Sequence, residues 1–341
     1  MSEKRGRLQR MMACVLGVVL AAGCSGGSGG STSSSTTTQS AAQASIRKIV
    51  VDGLDGPTQI ADGPLGLLLV AQLAGDENDA TGEIVAVDVV TGERRVVVDG
   101  LDKPTGVLWS DGTLWVMVRR GLLSAPWDGI AATAGPVTMV LDDLAFNGRS
   151  EGTLTPLDSG RFLYETTGTL IGGAAAPGSG TLFEFDPSTK TSRVVASGLK
   201  NAYAHAVLAD GRIITTEIGD NIVDAPVEEV DVIDPSQTTD LGWPNCPGDT
   251  SCARVVGPLA TFPVSSTPTG VVAIGDDVFV ALFVTGQLMR VPLAGWQIGS
   301  APVPATEVVA GLEGPHTLLV RPDGVLWISE NLAGRIIAVR P

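Results

Sequence analysis

The chain has 341 residues, of which 37 are acidic and 22 basic, and its formal net charge is −15. A surface of that sign repels phosphate backbones, which excludes nucleic acid as a partner class. With two histidines and four cysteines in the whole chain, imidazole and thiol chemistry is confined to a handful of positions.

Residues 1–23 read as a signal peptide. Lys4, Arg5, Arg7 and Arg10 form a basic start, and the apolar run from Met11 to Ala22 is too short to span a bilayer. The run ends in "LAAGC", similar to a bacterial lipobox with Cys24 as the lipidated residue. Residues 24–45 form a Gly/Ser/Thr-rich tether, without charge and almost without large apolar side chains, so they cannot build a core. The expectation is an exported protein, lipid-anchored to the cell envelope, whose folded part covers residues 46–341.

That folded part repeats. The turns "GLDGPTQI", "GLDKPTGV", "GRSEGTLT", "GLKNAYAH", "STPTGVVA" and "GLEGPHTL" align on Pro57, Pro104, Glu151, Ala202, Pro268 and Pro315, in steps of 47, 47, 51, 66 and 47 residues. A period near 47 carrying short strands is the signature of a β-propeller. Asp-Gly pairs at 111–112, 210–211 and 323–324 supply the positive φ angles of tight hairpins. Six reference positions predict an all-β, six-bladed propeller. Only three strands follow Pro315, whereas Ile46–Leu54 resembles a fourth strand without a blade. It is expected to complete the last blade and close the ring, which removes exposed strand edges.

Two sets of loops share one face of such a ring: those leading into each first strand, and those joining second to third strands. Function concentrates on loops held by rigid strands. The first set places Glu151, Lys200, Asn201, His205 and His316 on that face, and the second adds Glu217, Gly219 and Asp220. His316 takes the place held elsewhere by Thr58, Thr105, Gly152, Tyr203 and Thr269. His205, His316 and Glu151 are the candidate catalytic groups. The acidic loop from Gly75 to Glu83 has oxygen donors without the spacing of an EF-hand and reads as a solvated loop. In "CPGDTSC", Cys246 and Cys252 close a short Pro/Gly loop, which in an exported protein reads as a disulfide.

The stretch from Gly198 to Asp249 resembles the soluble quinoprotein glucose/sorbosone dehydrogenases. The resemblance rests on Lys200-Asn201, on Glu217-Ile218-Gly219-Asp220, on Glu228-Glu229-Val230-Asp231, and on "DLGWPN" from Asp240 to Asn245. It implies that Lys200 and Asn201 face the carboxylates of pyrroloquinoline quinone (PQQ). It further implies a calcium ion beside the quinone, held around Gly219 and Asp220 with Glu217 nearby. At the place of the family's base histidine this chain has Arg149, and an arginine stays protonated and cannot serve as a base. The resemblance therefore implies a sugar or aldehyde dehydrogenase scaffold with an altered base. Two other readings stay open: a propeller that binds a small molecule, a glycan or a protein without turnover, and a metal-dependent lyase or hydrolase using His205 and His316.

Overall fold

In a computed structural model, residues 48–148, 151–219, 228–246 and 256–341 are described. They form the expected six-bladed propeller. Blade 1 comprises strands Pro57–Asp62, Leu68–Gln72, Gly82–Val87 and Arg94–Leu101, and blade 2 comprises Gly106–Ser110, Thr113–Val118, Gly121–Pro126 and Thr138–Leu141. Blade 5 comprises Pro268–Ile274, Asp277–Leu282, Gln287–Pro292 and Thr306–Val309. In blade 6, Pro315–Val320, Leu326–Glu330 and Arg335–Val339 are completed by Lys48–Val51, which pairs antiparallel with the last strand (Lys48 opposite Ala338). The ring is thus closed by the chain's first described strand, as the orphan fourth-strand sequence predicts.

The second strands are buried along their length, for example Leu68–Gln72 and Phe162–Thr166. Each blade has a neighbour on both faces, so these strands read as continuous apolar runs instead of alternating ones. Apolar side chains collect into six clusters among the described residues. Each fills the interface between adjacent blades. Between blades 2 and 3, Trp115, Phe162 and Phe185 pack with ring centroids 5.1–5.6 Å apart, within the range of favourable aromatic contacts.

Blades 3 and 4 depart from the regular plan. Blade 3 comprises Thr155–Pro156, Phe162–Thr166, Thr181–Asp186 and Thr191–Ser197, and gains a fifth strand, Thr239–Asp240, parallel to its outermost one. Blade 4 comprises His205–Val207, Ile213–Glu217, Glu228–Ile233 and Ala260–Phe262. The long step of the repeat is an insertion between its third and fourth strands. This insertion carries "DLGWPN" back across blade 3. The N–H groups of Leu241 and Trp243 donate to the carbonyls of Ser197 and Gly198 (2.9 and 2.8 Å). Gly198 has to be glycine here, because a Cβ would lie 2.2 Å from the Asp240 carboxylate.

Candidate functional site

The repeat dictates the geometry of the channel mouth. One residue after each reference position, a threonine stitches its blade to the next: Thr58 donates to the Pro104 carbonyl (2.9 Å), Thr105 to Gly152 (3.2 Å) and Thr269 to Pro315 (3.0 Å). Three blades depart from this rule. Gly152 does so for steric reasons, since a Cβ there would lie 2.4 Å from the Tyr203 carbonyl oxygen. The other two, Tyr203 and His316, meet each other. The Tyr203 hydroxyl lies 3.2 Å from His316 Nε2, and Phe283 stands edge-on to the imidazole with centroids 5.7 Å apart.

These side chains line a cavity of about 360 Å³. Its wall includes Thr58, Thr105, Thr269, Lys103, Lys200, Asn201, Gly219, Glu228 and Asn331. Burial, with a smaller contribution from the Lys103 charge, lowers the His316 pKa to about 3. His316 is therefore a neutral imidazole at physiological pH, and its Nδ1 has no hydrogen-bond partner among the described residues. Lys103 forms an ion pair with Glu77 (3.1 Å) at the rim. Burial raises Glu228 to about 7, and its Oε1 accepts the Ser265 N–H (3.2 Å).

Of the residues singled out in the sequence, Lys200, Asn201, Gly219 and His316 come together in this cavity. Glu217 sits behind it. Its carboxyl accepts the backbone N–H of Lys200 and of Asn201, and so fixes the turn that presents both side chains. Burial raises its pKa well above the ordinary carboxylate value, and the nearby Asp231 carboxyl adds to the rise. Glu151 is buried next to Glu165 instead of lining the cavity, and burial raises both. His205 lines a different cavity, of about 430 Å³, further along the channel with Gln59 and Thr155. Its Nδ1 lies 2.7 Å from the Thr155 hydroxyl, and burial lowers its pKa to about 3. The two histidines thus do not share a site. Asp220, Arg149, Cys24 and Cys252 lie outside the described residues, and so does the Cys246–Cys252 pairing.

Sequence reasoning missed Lys103, Tyr203 and Phe283. For Lys103 the signal was available, because it occupies the same place before its reference proline as Asn201 does before Ala202. Tyr203 was visible as a break in the threonine row. Phe283 lies in the loop after a second strand, where nothing in its neighbours marks it.

The "GWPN" segment also supports the site. A Cβ at Gly168 would lie 2.8 Å from the Trp243 ring, and the Gly168 N–H donates to the Lys200 carbonyl (2.7 Å). Trp243 thus packs against the strand end that carries the Lys200 turn.

No family model and no curated protein matches the chain. Solved structures do. The chain is similar to the PQQ-bound aldose sugar dehydrogenase of Streptomyces coelicolor, with a TM-score of 0.71 and 20% identity over 87% of this chain and 98% of that one. It is similar to the holo PQQ domain of pyranose dehydrogenase from Coprinopsis cinerea (0.67, 16% identity, 88% and 96% covered). It is also similar to a calcium structure of the Trichoderma reesei carbohydrate-active enzyme family AA12 protein (0.68, 16% identity, 87% and 96% covered). The chain shares the six-bladed fold of PQQ-dependent sugar dehydrogenases.

Proposed function

We propose that the cavity at the channel mouth binds PQQ with calcium and oxidises a sugar or an aldehyde. The observation that carries this reading is the break in the threonine row: Tyr203 and His316 replace stitching residues and meet in a cavity that also holds Lys200 and Asn201. PQQ is a flat tricarboxylate, and the donor set fits it. Lys200 and Asn201 offer a cation and an amide to its carboxylates, and Phe283 and Tyr203 offer aromatic walls. Glu228 and Gly219 lie together on the same wall and offer oxygen to a hard cation. Among the described residues no group of three His, Cys, Asp or Glu side chains is placed to hold a metal alone. Oxygens of the cofactor would complete the shell.

When bound, the quinone supplies the hydride-accepting centre. The chain's own part is to orient the substrate and to take its hydroxyl proton. His316 is the neutral acceptor in the cavity, and it stands in for the histidine that Arg149 replaces. At a pKa of about 3 it is a weak base, but a bound carboxylate nearby raises it. By this reading the protein is exported, anchored through Cys24, and stapled by Cys246 and Cys252.

The test is a PQQ titration in the presence of Ca²⁺, followed by reduction of a dye acceptor with aldoses and aldehydes. Micromolar binding with turnover that His316→Ala abolishes supports the reading. Absence of PQQ binding overturns it and leaves a non-catalytic binding propeller.

A further inference from the structure

The residues two places after each reference position form one row around the channel: Gln59, Gly106, Thr153, Ala204, Gly270 and Thr317. All are small except Gln59. A stitch between adjacent blades needs no more than a threonine at this level. Thr317 Oγ1 donates to the Thr58 carbonyl (2.9 Å) and accepts the Ile60 N–H (3.2 Å). Gln59 reaches further. Its Oε1 accepts the N–H of Val107 in blade 2 (2.8 Å) and that of Leu154 at the entry to blade 3 (2.9 Å), and its Nε2 donates to the Leu154 carbonyl (2.7 Å). A side chain rooted in blade 1 that bonds the entry of blade 3 crosses the lumen in front of blade 2.

One residue higher, the other half of the ring is crossed in the same manner. Tyr203 at the entry to blade 4 meets His316 of blade 6, and Phe283 of blade 5 stands edge-on to the imidazole. The two bridges are complementary, since one spans blades 1–3 and the other blades 4–6. The cavities above and below them share no lining residue among the described residues.

We propose that Gln59 and the Tyr203–His316 pair are the two halves of one septum, and that Gln59 is a positioning residue that keeps solvent of the lower cavity away from the His316 imidazole. The upper cavity is then blind, and a ligand enters and leaves by the channel mouth alone. The inference rests on the channel geometry and holds whether or not that ligand is a quinone.

The chain has two histidines, so imidazole proton signals in an NMR titration of the full chain report both. His316 faces the Tyr203 hydroxyl and the Phe283 ring and feels the Lys103 charge, and burial holds its pKa at about 3. Gln59→Ala removes one half of the septum, so hydration from below should raise the His316 midpoint to about 5. His205 already lines the lower cavity, so its midpoint should stay in place. Gln59→Met fills the lumen without the hydrogen bonds. Both variants should melt a few degrees lower, because the Val107 and Leu154 N–H groups lose their acceptor. In the methionine variant, however, His316 should titrate as in the parent. Gln59→Asn is too short to reach blade 3 and should move His316 in the same direction by less, which keeps the test open if the alanine variant does not fold. An unchanged His316 midpoint in the shortened variants overturns the inference. So does a methionine variant that moves His316 as far as alanine does, because the hydrogen bonds and not the filled lumen would then shield the imidazole.

Discussion

Blades 4 and 6 hold their leading turns with the same hydrogen bond but balance its charge differently. In blade 6 the Glu313 N–H donates to Glu330 Oε1 (2.7 Å), and Arg335 pairs with the other oxygen of that carboxylate (2.5 Å). In blade 4 the Lys200 N–H donates to Glu217 at the same repeat position. Behind Glu217, however, stand further carboxyls: Glu165, Glu229 and Asp231. Asp231 accepts no hydrogen bond from any described residue, and burial raises its pKa. Blade 1 gives a third version with an amide as the acceptor: Gln72 Oε1 accepts the Asp55 N–H (3.2 Å) while its Nε2 donates to Glu83 (2.8 Å). The latch therefore needs an acceptor oxygen and not a charge. Blade 6 pairs its carboxylate with Arg335. Blade 4 gathers carboxyls in an environment that favours their neutral forms, directly behind the turn that carries Lys200 and Asn201.

The largest expected consequence is in the pH dependence of stability. Glu217, Glu229, Asp231, Glu151 and Glu165 all have folded pKa values raised by burial, and Glu228 is raised to about 7. A raised carboxyl leaves the folded state binding more protons than the unfolded chain. Its favourable contribution is complete below the ordinary carboxylate range and is lost as pH rises through the folded value. The melting temperature should fall between pH 5 and pH 9, on the order of 10 °C for several such groups together. A flat profile over that window would mean that blade 4 is charge-balanced as blade 6 is.

Next in size is the difference between removing the two latches. Glu330→Ala removes the buried carboxyl that pairs with Arg335 and leaves the Glu313 N–H without an acceptor, while Arg335 keeps Glu313 (3.2 Å), so a loss of about 2 kcal/mol is expected. Glu217→Ala also strands backbone N–H groups, but it thins out a crowd of carboxyls, so about 1 kcal/mol is expected at pH 7. Urea unfolding of both variants checks the order. Equal losses would show that the Glu217 carboxyl has a charge partner.

The ring itself was legible because a propeller is a repeat. Steps of 47 residues, Asp-Gly hairpins and an orphan fourth strand each follow from local chemistry, and their consistency fixed blade number and closure. Depth along the channel was harder to read. His205 and His316 both lie near the start of an inner strand, but His205 is three places after its reference position and His316 one place after. Two residues of strand are about 7 Å, enough to move a side chain into another cavity. The row that His205 shares, with Ile60, Val107, Leu154, Val271 and Leu318, is otherwise apolar, and that was a usable sign. The carboxyl cluster was not legible in the same way. Glu165, Glu217, Glu229 and Asp231 come from two blades, and only packing brings strand ends of different blades together. Nor does a sequence tell a carboxyl that lines a cavity from one that holds the backbone behind it, which is why Glu217 read as a metal-side residue.

The smallest expected effect is also the most specific. Glu217→Gln keeps the acceptor oxygen for the Lys200 and Asn201 N–H groups and removes the acid. Blade 1 already runs its latch on glutamine, so the geometry is compatible. At pH 5, where the buried acid is neutral, the variant should match the parent. At pH 8 it should be more stable by about 1 kcal/mol, because an uncharged amide carries no desolvation penalty there. Glu330→Gln should do the opposite and lose stability at both values, since Arg335 loses the buried carboxyl it pairs with and keeps only the exposed Glu313. Urea unfolding at the two pH values reads all four numbers. If Glu217→Gln is the less stable chain at pH 8, the Glu217 carboxyl is ionised and paired in the folded protein, and the contrast between the two blades disappears.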